Sequence, residues 1–317
     1  MTHFQGTLLI FAAALALLVT LSLLGGWLKL TRSDGRPEAL VDHLNLRVQG
    51  WWAMTLTIGL ALLAGRIGVV VLFAFVSFTA LREFLTVAPT RRSDHQAMVM
   101  AFFVVLPFQY FLVGIEWLGL FEVFIPVYAF LFLPILSAVK SDTLRFMERS
   151  GTLHWALMIT VFCISHVPAV LNLRIPGFEG RGAFLIVFLV LVVQGGDLAQ
   201  HLWSRWLGQH PLAPQISPNK TIEGHVGALI TAPLLGMALC WMTPFPIAAA
   251  AVIALALTLM GLFGALVLSA MKRDRGVHDW GAAADGGGML DRIASVCFAA
   301  PVYFHIVRHW WSVTPGP

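Results

Sequence analysis

Long uncharged apolar runs recur along this chain and constrain its fold more than any other feature. Blocks such as Phe184 to Val193 and Ile247 to Leu268 carry no charge, and about 20 predominantly apolar residues are enough for one transmembrane helix. Hydropathy predicts spans near 8–28, 51–64, 67–81, 98–114, 117–137, 154–172, 183–196, 225–243, 246–268 and 293–309. The runs lack the ten-residue alternating rhythm of an outer-membrane barrel. With 58% hydrophobic and 11% charged residues, the chain holds more apolar side chain than a soluble core could bury. The expected fold is therefore all-α, a polytopic transmembrane helical protein of about ten spans. Residues 1–192 are expected to form an N-terminal bundle and 193–317 a C-terminal catalytic region of the same membrane unit.

The net charge of +4 follows from how such a protein is oriented. With ten spans, the segments 29–50, 82–97, 138–153, 197–224 and 269–292 share one face and hold sixteen of the twenty Lys and Arg residues. The opposite face has Arg66, Arg174, Arg181 and Arg308. The positive-inside rule then puts the polar loops in the cytoplasm and both termini across the membrane, in a bacterial inner membrane. The first run, 8–28, has neither a basic n-region nor a small-residue cleavage site, so a retained helix is expected there. Cys163, Cys240 and Cys297 show no CxxC spacing and read as packing residues. The span centres are nearly free of ionisable groups, which disfavours a transporter.

Chemistry concentrates in two polar clusters. The first runs from Gln194-Gly195-Gly196-Asp197 to Ser217-Pro218-Asn219-Lys220-Thr221-Ile222-Glu223-Gly224. Ser followed by Pro signals a helix start near Pro218. A helix N-terminus with the hydroxyls of Ser217 and Thr221 and the ammonium of Lys220 suits a phosphate; the bland alternative is a capped helix oriented by its lysine.

The second cluster holds Lys272, Arg273, Asp274, Arg275, His278, Asp279, Asp285, Asp291 and Arg292 beside a membrane span. Such a density of charge must be solvated, paired or bound to ions. On a continuous helix Asp279 and Asp291 would lie about 18 Å apart, too far to share an ion. The glycines at 281 and 286–288 allow the chain to fold back instead. The two carboxylates would then hold Mg²⁺, which completes its octahedron with water and phosphate, while Lys272, Arg273 and Arg292 neutralise phosphate charge. That combination suits phosphoryl or nucleotidyl transfer. The two intervening spans return the chain to the same face, so both clusters can meet in one site.

The sequence S-P-N-K-T-I-E-G at 217–224, S-x-x-K-R at 269–273, D-x-G at 279–281 and G-G-x-L-D-R at 287–292 resembles the membrane phosphatidate cytidylyltransferases, the CDP-diacylglycerol synthases. The match lies mainly in 194–295, with weaker similarity at Trp51-Trp52, at A-L-R-E-F-L over 80–85 and at Asp94-His95. The resemblance implies transfer of CMP from CTP to phosphatidic acid, giving CDP-diacylglycerol and pyrophosphate, with Mg²⁺ required. It implies Lys220, Lys272, Arg273, Asp279, Asp291 and Arg292 as catalytic residues and Asp197, Ser217, Thr221, Glu223 and His278 as substrate-binding ones. CTP, a lipid phosphate and membrane lipids are the expected partners, and no nucleic acid. Small residues in 247–265 would also serve a homodimer.

The chain departs from that family's pattern in the second cluster. His278 stands where the family has Lys, Asp285-Gly286-Gly287-Gly288 is one residue shorter than the family's P-G-H-G-G, and Ala294 replaces the closing acid. Asp285 is a candidate replacement ligand for the metal. Two alternatives stay open: a lipid phosphate other than phosphatidate, and a member without turnover that assembles other lipid enzymes. Elsewhere, Glu83 with Arg82 and His95 with Asp94 read as surface ion pairs rather than site groups. The histidines lack HxxxH or HxxE spacing for zinc, with His201 and His225 as outside candidates near the site. The Trp residues at span ends read as interfacial anchors.

Overall fold

The computed structural model describes residues 56–280 and 288–313, together with 19, 20, 22, 23, 26 and 52. Asp285 and Gly281 therefore lie outside the described residues, as does most of the first expected span. Contacts divide the chain into two units, 1–72 and 73–317. In the first, residues 56–63 are helical and the Trp52 indole donates to Ser22 Oγ at 2.9 Å.

Eight long helices follow. They are α1 Gly65–Thr86, α2 Arg92–Gly114, α3 Leu118–Ala138, α4 Phe146–Asn172, α5 Gly182–Leu207, α6 Ile222–Ala238, α7 Ile247–Asp274 and α8 Met289–Trp311. All but α6 are long and apolar enough to cross a membrane, so the described residues hold seven such helices rather than ten. The 17 residues of α6 span about 25 Å at 1.5 Å per residue, near the lower limit for a crossing. The expected span at 51–64 lies partly outside the described residues; its described helix ends at 63, and a turn at Ala64 separates it from α1. The all-α class holds, with one two-stranded hairpin among the described residues: β1 Pro211–Ala213 pairs antiparallel with β2 Ser217–Thr221.

Polar contacts within the second unit fix how the helices alternate. At one set of ends, Arg91 pairs with Asp142 and Arg275 reaches Glu148. At the other, Asn172 Nδ2 donates to the Val113 carbonyl, Arg174 meets Glu116, and Arg308 pairs with Glu122. The loops 87–91, 139–145 and 208–221 and residues 275–280 thus share one side, the side on which both polar clusters lie. Large apolar residues such as Phe103, Leu131, Ile230 and Val252 are exposed along the helices, as expected for surfaces that meet lipid. Irregular turns accommodate some of the prolines: α2 and α3 contain π-helical turns at Ala101–Val105 and Phe124–Ala129, just before Pro107 and around Pro126.

Helices α5 to α8 pack on one another through glycine contacts that place the first cluster. A Cβ on Gly196 would stand 2.7 Å from Thr258 Cγ2 of α7, and one on Gly195 would meet Leu235 of α6. Farther along, Gly227 of α6 faces the Trp203 ring, and Gly264 of α7 faces Phe298 of α8. Small residues let backbones approach where no water-driven burial separates helix from lipid. The Gly-Gly pair before Asp197 is thus a packing device that brings Asp197 to the meeting point of three helices.

Candidate active site

The C-terminal ends of α5 and α7, the N-terminal ends of α6 and α8, and the β hairpin converge on one side of the second unit. Their local sequences explain the convergence. Strand β2 runs from Ser217 to Thr221, so Ser217-Pro218 does not start a helix as its capping signature suggests. The true N-cap is Thr221, whose Oγ1 accepts from Gly224 N–H at 3.1 Å and donates to Ser204 Oγ of α5 at 2.9 Å. Ser204 is held in turn by Gln200 Nε2 at 2.8 Å. Glu223 faces the hairpin: its carboxylate accepts from the backbone N–H groups of Gln209 and His210 and meets His210 Nδ1 at 2.6 Å. Thr221 and Glu223 therefore hold the loop that presents Lys220.

Lys220 is half-buried on β2 and lies within electrostatic reach of Asp197 and Lys272. Burial pushes its ammonium below the ordinary lysine value; Asp197 pulls it up and Lys272 pushes it down. Two cations that feel one another, with part of their water removed, suit an anion with several charges.

The two described ends of the second cluster, at Trp280 and Gly288, meet at Asp291. Lys272 Nζ of α7 donates to Asp291 Oδ1 of α8 at 2.6 Å. The other oxygen, Oδ2, accepts from Trp280 N–H at 3.0 Å and Gly288 N–H at 3.3 Å, so Asp291 closes the base of the 280–288 segment. Asp279 and Arg292, on either side of this closure, are exposed. Arg273 Nε donates to the Ile216 carbonyl at 3.1 Å, tying α7 to the hairpin, and its guanidinium meets His278. The His278 imidazole is thus engaged with an arginine of the same cluster. Ala294 is buried in α8.

The structure brings Asp197, Lys220, Lys272 and Asp291 together, with Arg273 and His278 at the hairpin edge. Ser217, at the start of β2, is half-buried, and Thr221, at its end, is buried. Among the described residues no three His, Cys, Asp or Glu side chains converge as a metal cage. Mg²⁺ is usually bound by one or two carboxylates together with substrate phosphates and water, so it does not need such a cage. Asp291 already accepts three hydrogen bonds, and a carboxylate offers about four lone-pair sites.

Two groups next to this cluster contradict their surface-pair reading. Glu83 does not pair with Arg82; its two oxygens accept from Met289 N–H at 2.8 Å and Leu290 N–H at 2.9 Å, capping α8. Asp94 is buried and bound to Arg149 at 3.0 Å, with Ser93 and Asp142 in the same network. The partners stand 206 and 55 positions away in sequence, so no local pattern reveals them. His225, buried at the start of α6, hydrogen-bonds the Thr221 carbonyl through Nδ1.

The structure is that of a helical membrane protein that gathers cations and carboxylates at one end of four helices. The family model described as the cytidylyltransferase family matches residues 45–310, and the chain belongs to this family. It is accordingly a CTP-dependent nucleotidyltransferase, with a nucleotide and a lipid as substrates. It is 33% identical over 275 residues to the uncharacterized protein YnbB of Escherichia coli K12, covering 86% of this chain and 90% of that one. It is 31% identical to a phosphatidate cytidylyltransferase of Staphylococcus aureus over 58% of this chain and 74% of the relative. A phosphatidate cytidylyltransferase of Staphylococcus saprophyticus subsp. saprophyticus is 39% identical over 39% of this chain and 49% of its own length.

Proposed function

We propose that this chain transfers CMP from CTP to phosphatidic acid, giving CDP-diacylglycerol and pyrophosphate, at the cytoplasmic face of a bacterial inner membrane. The observation that carries the reading is the meeting of Lys220 and Lys272 with Asp197 and Asp291 at one end of four helices. The relatives named for phosphatidate support the choice of lipid, and the twelve Lys and Arg residues of 82–97, 138–153, 197–224 and 269–292, against Arg174, Arg181 and Arg308 at the opposite helix ends, support the cytoplasmic face.

In this reading the phosphate oxygen of the lipid attacks the α-phosphorus of CTP. A new P–O bond forms, and the bond from the α-phosphorus to the bridging oxygen breaks, releasing pyrophosphate. Lys220 and Lys272 bind and orient the triphosphate, while Arg273 and Arg292 balance the charge that grows on the leaving group. Asp197 keeps the Lys220 ammonium charged, Asp291 orients Lys272, and Ser217, Thr221 and Glu223 hold the hairpin against the nucleotide. Asp279 and Asp291, with Asp285 as a further candidate, would hold Mg²⁺, which when bound supplies charge neutralisation across the phosphates. Exposed apolar helix surfaces beside the site let the acyl chains stay in the bilayer.

The test is incorporation of α-labelled CTP into lipid by the purified chain, with phosphatidic acid, its lyso form and other lipid phosphates supplied in parallel. Label in CDP-diacylglycerol, lost with EDTA, is expected. Label confined to another lipid phosphate would replace the substrate, and CTP binding without any incorporation would contradict the reading.

A further inference from the structure

The last turn of α1 holds the 280–288 segment at both of its ends. Phe84 is buried and stacks on Trp280, with ring centroids 4.9 Å apart and planes 16° from parallel. The neighbouring Glu83 accepts the Met289 and Leu290 N–H groups at 2.8 and 2.9 Å. These same ends are joined from the other side by Asp291, through Trp280 N–H and Gly288 N–H. The dipeptide thus faces both the residue after Asp279 and the turn that carries Asp291 and Arg292.

We propose that Glu83 and Phe84 are positioning residues for nucleotidyl transfer, fixing where Asp279, Asp291 and Arg292 stand relative to Lys272. The inference rests on the reading that this cluster binds CTP. The chemistry suits a clamp: a carboxylate at a helix N-terminus gains from both the helix dipole and two charge-assisted hydrogen bonds. It also occupies N–H groups that would otherwise draw an anion to the α8 terminus. The triphosphate is thereby left to Lys220, Lys272 and Arg292. From the α1 side, stacking sets the other end: Trp280 is 3% exposed, and among the described residues its indole nitrogen has no hydrogen-bond partner.

Glu83→Gln tests this, because an amide keeps the shape but turns a donor toward one of the two N–H groups. The full chain in detergent is assayed for labelled-CTP binding with Mg²⁺ by equilibrium dialysis, and for pyrophosphate release with phosphatidic acid. Expected for E83Q are CTP binding and kcat/KM for CTP each about tenfold weaker, an unchanged KM for phosphatidic acid, and substantial recovery in E83D. F84L, which keeps an apolar side chain, should shift the same constants in the same direction. A merely structural role would lower the number of CTP sites and the melting temperature while leaving Kd and turnover per site at wild-type values; that outcome overturns the proposal. Wild-type protein that binds CTP but leaves phosphatidic acid unchanged defeats the substrate assignment instead, and the E83Q comparison of CTP affinity still decides the clamp.

Discussion

Lys272 Nζ stands 2.6 Å from Asp291 Oδ1, and the second oxygen of the same carboxylate accepts the N–H groups of Trp280 and Gly288. One aspartate therefore joins the end of α7, the start of α8 and the two ends of the intervening segment. Asp291→Asn exchanges an acceptor for a donor within this set and frees the lysine. Pyrophosphate release should fall by about 10² to 10³, with Lys272→Met close behind. If the two act as a unit, the double variant loses little more than D291N alone; fully multiplicative losses measured in the same assay would show that they act separately.

Lys220 carries a pH signature. Its ammonium is held below the ordinary lysine value by burial, so in the free enzyme the charge is lost as pH rises through that lowered value. kcat/KM for CTP should therefore decline on the alkaline side before ordinary lysines titrate. A bound triphosphate favours the cation, which moves the corresponding limb of kcat to higher pH. Lys220→Arg stays charged and should lose the limb altogether. A pH–rate profile with the same alkaline limb in both proteins would assign it to another group.

Arg149 is buried between Asp94 and Asp142, and Ser93 donates into the same network. Removing the guanidinium leaves Asp94 buried without its charge partner, so Arg149→Ala should cost about 3–5 kcal/mol, read from denaturation in detergent. Asp142 lies below its ordinary value of 3.8, chiefly because Ser93 hydrogen-bonds it, with burial opposing and the Leu144 N–H, Arg149 and Arg91 assisting. A depressed carboxyl stabilises the fold above its ordinary pKa and loses that contribution as pH falls through the lowered one. The network should therefore persist at pH 5, and Ser93→Ala should begin acid unfolding at higher pH than wild type.

Glycine spacing makes a further prediction about packing. A Cβ at Gly236 of α6 would stand 2.5 Å from the Ala250 carbonyl oxygen of α7, a backbone atom that cannot turn aside. Gly236→Ala should destabilise by about 1–3 kcal/mol. At Gly151 of α4 nothing lies within 4 Å of the added carbon, so Gly151→Ala should be neutral or stabilise by up to about 1 kcal/mol. Thermal unfolding of the pair in one detergent makes the comparison.

How much of this was legible depended on whether the signal was local. Apolar runs show the helices because membrane solvation acts on each run by itself, and the two polar clusters stand out against so apolar a chain. The topology that joins them follows from two spans. Of the ten expected spans, most of 8–28 and part of 51–64 lie outside the described residues, and the run at 225–243 belongs to a helix of only 17 residues. Ser217-Pro218 carries a helix-start signature, but pairing with Pro211–Ala213 extends it into a strand and moves the cap to Thr221. Glu83 beside Arg82 looks like an exposed pair because adjacency is all a sequence offers. Its partners at 289 and 290 exist only once α1 and α8 meet.

The most direct test of the central claim is Mg²⁺-dependent pyrophosphate release from CTP by the purified chain in detergent with phosphatidic acid, with D291N alongside. Release that requires both Mg²⁺ and phosphatidic acid, and that is lost in D291N, is the expected result. A folded preparation that releases none with any of several lipid phosphates, or a D291N variant as active as wild type, would contradict the account.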